Sequence, residues 1–240
     1  LTNANFRHED DSVIPAFRRI TDECHDEGAT IVHQLYHVGA HGDQDNSWEP
    51  YWSPSGTASM HDPWGSHAMT ENEINELVES FIQAARRDHE SGFDGVDLFS
   101  GYNCLIDQFW SPITNRRDDK WGGSLENRLR FSVEICEGIR KVAGDDFIIG
   151  MTISGAEPYP GGLSMDDKLE IVSWLDARGL VDYYSIGNGS YLNRFAEIVP
   201  SFHFGMKLTE TEAEQFKNTV SHALITAEAR VKTPENAEEV

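Results

Sequence analysis

Two bulky rings, Phe99 and Tyr102, stand where the apolar run Gly95–Phe99 opens into a loop rich in aromatic and polar residues. A strand that ends in such a loop is where a β/α enzyme places its chemistry. Phenylalanine donates no hydrogen bond; the Tyr102 hydroxyl can donate one. Tyr183 and Tyr184 are adjacent in another apolar run, and strand alternation lets only one of them point into a barrel mouth. His33, His37 and His41 repeat every four residues. On a helix that spacing makes a metal-binding face. Here the three run through a strand into a loop, so they share no face, and no metal site is expected from them.

The elements that must position these groups alternate. A cap at Asp11 or Ser12 opens a helix carrying Ile14, Phe17, Ile20 and Cys24, which Gly28 ends. Residues 29–35 read as a strand and 36–69 as a long loop. Thr70-x-x-Glu73 is a capping box for a helix that buries Ile74, Leu77, Val78, Phe81, Ile82 and Ala85. The strand Gly95–Phe99 comes next, then a helix capped by Ser124. Further strands fall at 147–153, 181–186 and 223–227, with helices after Ser164, Thr209 and Thr233. Five strands alternating with helices imply a parallel sheet with right-handed crossovers. A closed (β/α)8 TIM barrel and an open doubly wound sheet both fit. No Gly-x-Gly-x-x-Gly follows any strand, so the dinucleotide fingerprint of the doubly wound class is missing.

Composition narrows the function classes. The net charge of −22 disfavours nucleic acid and anionic membrane surfaces. It suits cationic small molecules, and equally plain solubility or adaptation to salt. No apolar run reaches the roughly 18 residues of a membrane span. Three well-separated cysteines without a Cys-x-x-Cys pair argue against disulfide, zinc and iron–sulfur frameworks, and a cytoplasmic setting is expected.

The motif Gln108-Phe-Trp-Ser-Pro-Ile-Thr-Asn-Arg-Arg-Asp-Asp-Lys-Trp-Gly-Gly-Ser-Leu-Glu-Asn-Arg-Leu-Arg-Phe131 resembles the signature of the Old Yellow Enzyme family of FMN-dependent oxidoreductases. His33-Gln-Leu-Tyr-His-Val-Gly39 and Gly92-Phe-Asp-Gly-Val-Asp97 resemble it too. The resemblance implies a (β/α)8 barrel with FMN at the C-terminal mouth. The five strands then correspond to the third to seventh, so residues 1–240 are expected to be one partial FMN-binding barrel domain, without the first two strands and the last. Gly39-Ala-His41 and Trp52-Ser-Pro-Ser-Gly56 are similar to the trimethylamine dehydrogenase and dimethylglycine/N-methylproline demethylase branch.

The resemblance also implies roles. Gln34 matches the glutamine that bonds the pyrimidine edge of FMN. Arg230 matches the arginine on the FMN phosphate, with Ala229 in place of the usual glycine. Phe99 and Tyr102 replace the His/His or His/Asn pair with which ene-reductases polarise a carbonyl. Rings at those positions suit a methylated cation instead, although Phe99 also reads as plain core packing. Tyr184 matches a position near a substrate contact or is structural, and His41 borders flavin or substrate. Arg116, Arg117, Asp118 and Arg128 match residues that brace the loop.

Three readings follow. The first is oxidative N-demethylation of a small methylated amine, with hydride passing to flavin N5. The second is NAD(P)H-dependent reduction of an activated alkene, with Tyr102 as donor. The third is a barrel fragment without catalysis. A homo-oligomer or an electron-transfer partner is compatible with the first two.

Thr152 stands where the family carries an arginine beside flavin N1 and O2. A neutral hydroxyl stabilises reduced flavin less than a cation does, since charge-assisted hydrogen bonds are roughly twice as strong. A redox titration is therefore expected to give a lower flavin potential than in arginine-bearing relatives. An equal potential contradicts this reading of Thr152.

Overall fold

A computed structural model describes residues 8–42, 50–59, 64–157, 159–191, 194–206, 208–228 and 230–239. Five strands form one sheet: β1 (Val32–Leu35), β2 (Gly95–Phe99), β3 (Ile148–Ser154), β4 (Tyr183–Gly187) and β5 (Leu224–Ala227). Every neighbouring pair is parallel, and the strands lie side by side in chain order. A doubly wound sheet reverses its strand order at a switch point. This sheet does not reverse, so it is an arc of a (β/α)8 barrel.

The helices form for local reasons. A 3-10 turn at Asp11–Val13 leads into α1 (Ile14–Asp26), and its cap is Asp10, which accepts from the Ser12 N–H at 2.8 Å. The expected caps, Asp11 and Ser12, lie inside that turn. Thr70 and Glu73 make the full capping box of α2 (Glu71–Glu90). One helix was not expected from the sequence: α3 (Leu105–Trp110), all six residues of which are buried. Pro112 stops it, because the residue before a proline is pushed out of the helical region, and Ser111 is extended at ψ 126°. Ser124 caps α4 (Leu125–Ala143), and Ser164 with Asp167 makes a second capping box at α5 (Met165–Asp176). Thr209 precedes α6 (Glu210–Lys217), but its hydroxyl donates to the Glu228 carbonyl instead of capping.

One face of the sheet is apolar. Val96, Leu98, Ile149, Met151, Ile153, Tyr184 and Ile186 are fully buried there with residues of α2, α4 and α5. The other face carries Gln34, Asp97, Thr152, Ser185 and Thr226, of which Gln34 and Thr226 are exposed. A singly wound sheet has helices on one side only, which leaves that second, inner face to the barrel interior.

The long polar and aromatic motif at 108–131 is a brace. Arg117 donates to the carbonyls of Pro54 (2.8 Å) and Met69 (2.6 Å) and pairs with Asp119 at 2.6 Å. Arg128 donates to the Trp110 carbonyl at 2.6 Å, and Arg116 to the Ile113 carbonyl at 2.9 Å. Deeper, Lys168 of α5 pairs with Asp107 of α3, and its ammonium lies 5.5 Å from the Trp110 ring centroid. Both side chains are only 1% exposed. Removing one partner of a buried pair leaves an uncompensated charge, which costs about 3–5 kcal/mol. Lys168→Met is expected to lose stability on that scale in urea unfolding. A loss below about 1 kcal/mol, the level of exposed pairs, contradicts the assignment.

Candidate functional site

The strands are in phase, so side chains of one register row point the same way. The first inner row is Gln34, Asp97, Gly150 and Tyr183. The next contains Phe99, Thr152 and Ser185, flanked by Thr226. Asp97 is the hub of the first row. Its Oδ1 accepts from Gln34 Nε2 at 3.0 Å and from Thr152 Oγ1 at 2.8 Å. Gln34 Nε2 also reaches Thr152 Oγ1 at 3.2 Å. The Tyr183 ring covers Gly150, where a Cβ would collide with it. Burial, and then the Asp97 carboxylate it bonds, push the Tyr183 phenol up.

At the strand ends the rings gather. Phe99 stands 5.1 Å from Tyr36, edge to face, and 5.4 Å from Tyr102. Tyr102 and Asn103 both lie in the left-handed region, at φ 59° and 67°. Such conformations cost non-glycine residues energy and cluster at functional sites. Three bonds hold them: Tyr102 N–H to Ser154 Oγ at 3.1 Å, Asn103 N–H to Asp107 Oδ2 at 3.0 Å, and Gln108 Nε2 to the Asn103 carbonyl at 2.7 Å. The result turns the Tyr102 ring over Gly187 and its hydroxyl onto Glu228 Oε2 at 3.1 Å. Ser185 donates to Glu228 Oε1 at 2.6 Å. Burial first, and then the Glu228 charge, push the Tyr102 phenol up, so it stays protonated.

The other expected residues are placed as follows. His41 is buried, with Nε2 3.0 Å from Asn103 Oδ1 and its ring 5.5 Å from Tyr191. His37 is neutral, held down to about 4 by burial. Arg230 sits beyond β5 at φ 61° and donates to the Ser201 carbonyl. Its Nε is buried without a hydrogen-bond partner among the described residues. Ala229 lies outside them. Tyr184 is a correction. It is fully buried, and the register turns it with Leu98 and Met151 into the helix layer. It cannot touch a ligand on the inner face; Tyr183 holds the inner phase. Tyr102 is corrected in part: its ring joins the cluster, but its hydroxyl already donates to Glu228.

Three residues were missed. Tyr36 lies two positions after Gln34, in the same phase, and that spacing could have revealed it. Burial first, and then its contacts with Cys104 and Tyr191, push its phenol up. Tyr191 and Glu228 come from loops, and no sequence periodicity marks them.

The donor set fits FMN. Gln34 offers an exposed amide whose oxygen accepts nothing among the described residues, and Arg230 holds an unpaired buried N–H suited to phosphate. An arc of parallel strands with such a face is the framework of a β/α-barrel flavoenzyme. The chain belongs to the NADH:flavin oxidoreductase / NADH oxidase family, whose model matches residues 2–240, and that family is FMN-dependent. It is 36% identical over 233 residues to the N,N-dimethylglycine/sarcosine dehydrogenase of Chromohalobacter salexigens, covering 96% of this chain and 33% of that one. It is 38% identical over 180 residues to a probable N-methylproline demethylase of Rhizobium meliloti, covering 75% of this chain and 26% of that one. The chain thus spans about a third or less of the length of these relatives. Among solved structures, a complex of 2-naphthoyl-CoA reductase superposes with a TM-score of 0.86 at 28% identity, over 96% of this chain and 36% of that one. No helix among the described residues is long and apolar enough to cross a membrane.

The position of Tyr102 depends on Gly187 lacking a side chain. Gly187→Ala is expected to displace the ring from Glu228 and to cost about 1–3 kcal/mol. A variant of unchanged stability, with the ring still bonded to Glu228 in its crystal structure, contradicts this packing.

Proposed function

We propose that residues 1–240 form a single FMN-binding unit and that its inner face serves oxidation of an N-methyl group on a small amine. The observation that carries this is the ring cluster Tyr36, Phe99 and Tyr102 with the Glu228 carboxylate behind it. Phe99 holds the position at which a carbonyl-polarising donor would stand. A methylated ammonium instead gains about 0.5–2 kcal/mol from each ring face it meets, and Glu228 supplies the opposite charge. Gln34 and Thr152 would hold the flavin's pyrimidine edge, and Arg230 its phosphate. The ammonium first gives up its N–H proton to water, and FMN, when bound, would supply a two-electron acceptor for the hydride of the methyl carbon. Water then releases formaldehyde and the demethylated amine from the iminium product. The chain's contribution is to hold the amine in place and to exclude water with rings. The names of the two curated relatives support the same substrate class.

A second reading is NAD(P)H-dependent reduction of an activated alkene. The Tyr102 hydroxyl and the likeness to a reductase favour it, but that hydroxyl is engaged by Glu228. Anaerobic mixing of the FMN-loaded protein with dimethylglycine, N-methylproline and trimethylamine separates the two. At least one amine is expected to bleach the flavin, and Phe99→Leu to weaken that amine about 2–30-fold. If none bleaches it while an enone rapidly reoxidises the reduced protein, the demethylase reading is wrong.

A further inference from the structure

His33 neighbours Gln34 on β1 but has the opposite phase, so it points away from the inner face and toward α2. There its Nδ1 lies 2.9 Å from Oδ1 of Asp88. His8, ahead of α1, brings its Nε2 to 3.4 Å from the same oxygen. One potential ligand atom from each of the three residues lies within 4.8 Å of the others. We propose that His8, His33 and Asp88 form a binding site for a divalent transition metal of the zinc type, separate from the flavin-facing side of the sheet.

The ligand types and spacing suit that ion. Tetrahedral zinc, with bonds of about 2.0–2.2 Å to nitrogen and oxygen, holds its ligand atoms roughly 3.3 Å apart. The two separations at Asp88 Oδ1 lie either side of that value. The site also has unused capacity. Asp88 is fully buried, and its Oδ2 has no hydrogen-bond partner among the described residues; nor have His8 Nδ1 and Nε2. Buried polar atoms left unsatisfied are costly, and a bound ion is one of the things that relieves them. The uncharged state of the His8 ring favours binding. Burial first, with help from His33 and Arg87, holds His8 down to about 4, so at neutral pH its ring is uncharged and has a lone pair to give.

The surroundings orient the ligands. Phe17 stands 5.3 Å from His8 and 5.2 Å from His33, and Phe93 stacks on His33 at 5.2 Å. A cleft lined by Leu77, Ser80, Phe81 and Ala84, which runs on along the β1 edge to Gln34 and Tyr36, reaches both histidines and gives an entry path and room for a water ligand. Arg87 is the opposing group. Its positive charge acts on His8 and Asp88, and it is held by the Glu9 carbonyl at 2.7 Å and by Asp11 at 3.6 Å. It lowers the affinity without filling the site. A bound ion would tie the segment before α1 to β1 and α2, adding stability instead of chemistry.

The test uses the full chain freed of metal by a chelator. Calorimetric titration with Zn²⁺ is expected to show one equivalent bound, with a rise in Tm. Co²⁺ is expected to give visible d–d bands without a thiolate charge-transfer band. His8→Ala, which precedes the first helix, and His33→Gln are each expected to weaken binding at least about tenfold. Cys24→Ser and His25→Ala are expected to leave it unchanged. Circular dichroism checks that the variants remain folded. Weak binding of several equivalents, or one-equivalent binding that survives His8→Ala, overturns the proposal.

Discussion

The in-phase register of five parallel strands is the constraint on which the rest depends. Strand side chains alternate, so pairing Gln34 with Asp97, Asp97 with Gly150 and Gly150 with Tyr183 assigns every residue of the sheet to one of two faces. A slip of one residue would exchange the faces. Leu98, Met151 and Tyr184 would turn to the barrel interior, and Asp97 and Thr152 would be driven into the helix layer. Burying a lone carboxylate there costs far more than a shift of register gains, so the apolar phase locks the polar one.

From that register the site follows in two layers. Asp97 gathers Gln34, Thr152 and Tyr183 into one network on the inner face. Above it, the strained pair Tyr102 and Asn103 aims a ring across the strand ends. The strain is held from below. Asp107 accepts the Asn103 N–H with one oxygen and pairs with buried Lys168 through the other. A charge pair deep in the helix layer therefore supports the backbone conformation of the loop that follows β2. The same alternation sends Gln34 and His33 to opposite faces of β1.

Much of this was legible in the chain. The capping residues Thr70, Ser124 and Ser164, the five apolar runs and the braced motif at 108–131 are local signals, and the structure keeps them. The phase of Tyr183 against Tyr184 was not legible, since periodicity says only that one of them faces inward; pairing with Gly150 and Met151 decides which. Glu228 and Tyr191 reach the rings from loops, and Asp88 meets His8 and His33 from helix α2. Those encounters are set by tertiary packing, which no spacing along the chain encodes. The helix Leu105–Trp110 was hidden for a related reason. It is buried all round, so it has no amphipathic stripe to betray it.

The central claim is that the inner face of the sheet, through Gln34 in its first row and Thr152 in the next, receives FMN. Titrating the chain with FMN and following quenching of flavin fluorescence tests it directly, with Gln34→Leu as the comparison. The account predicts one equivalent bound by the parent chain and affinity lower by about tenfold in the variant, as expected for about one lost hydrogen bond. Equal affinity for the two proteins would contradict it.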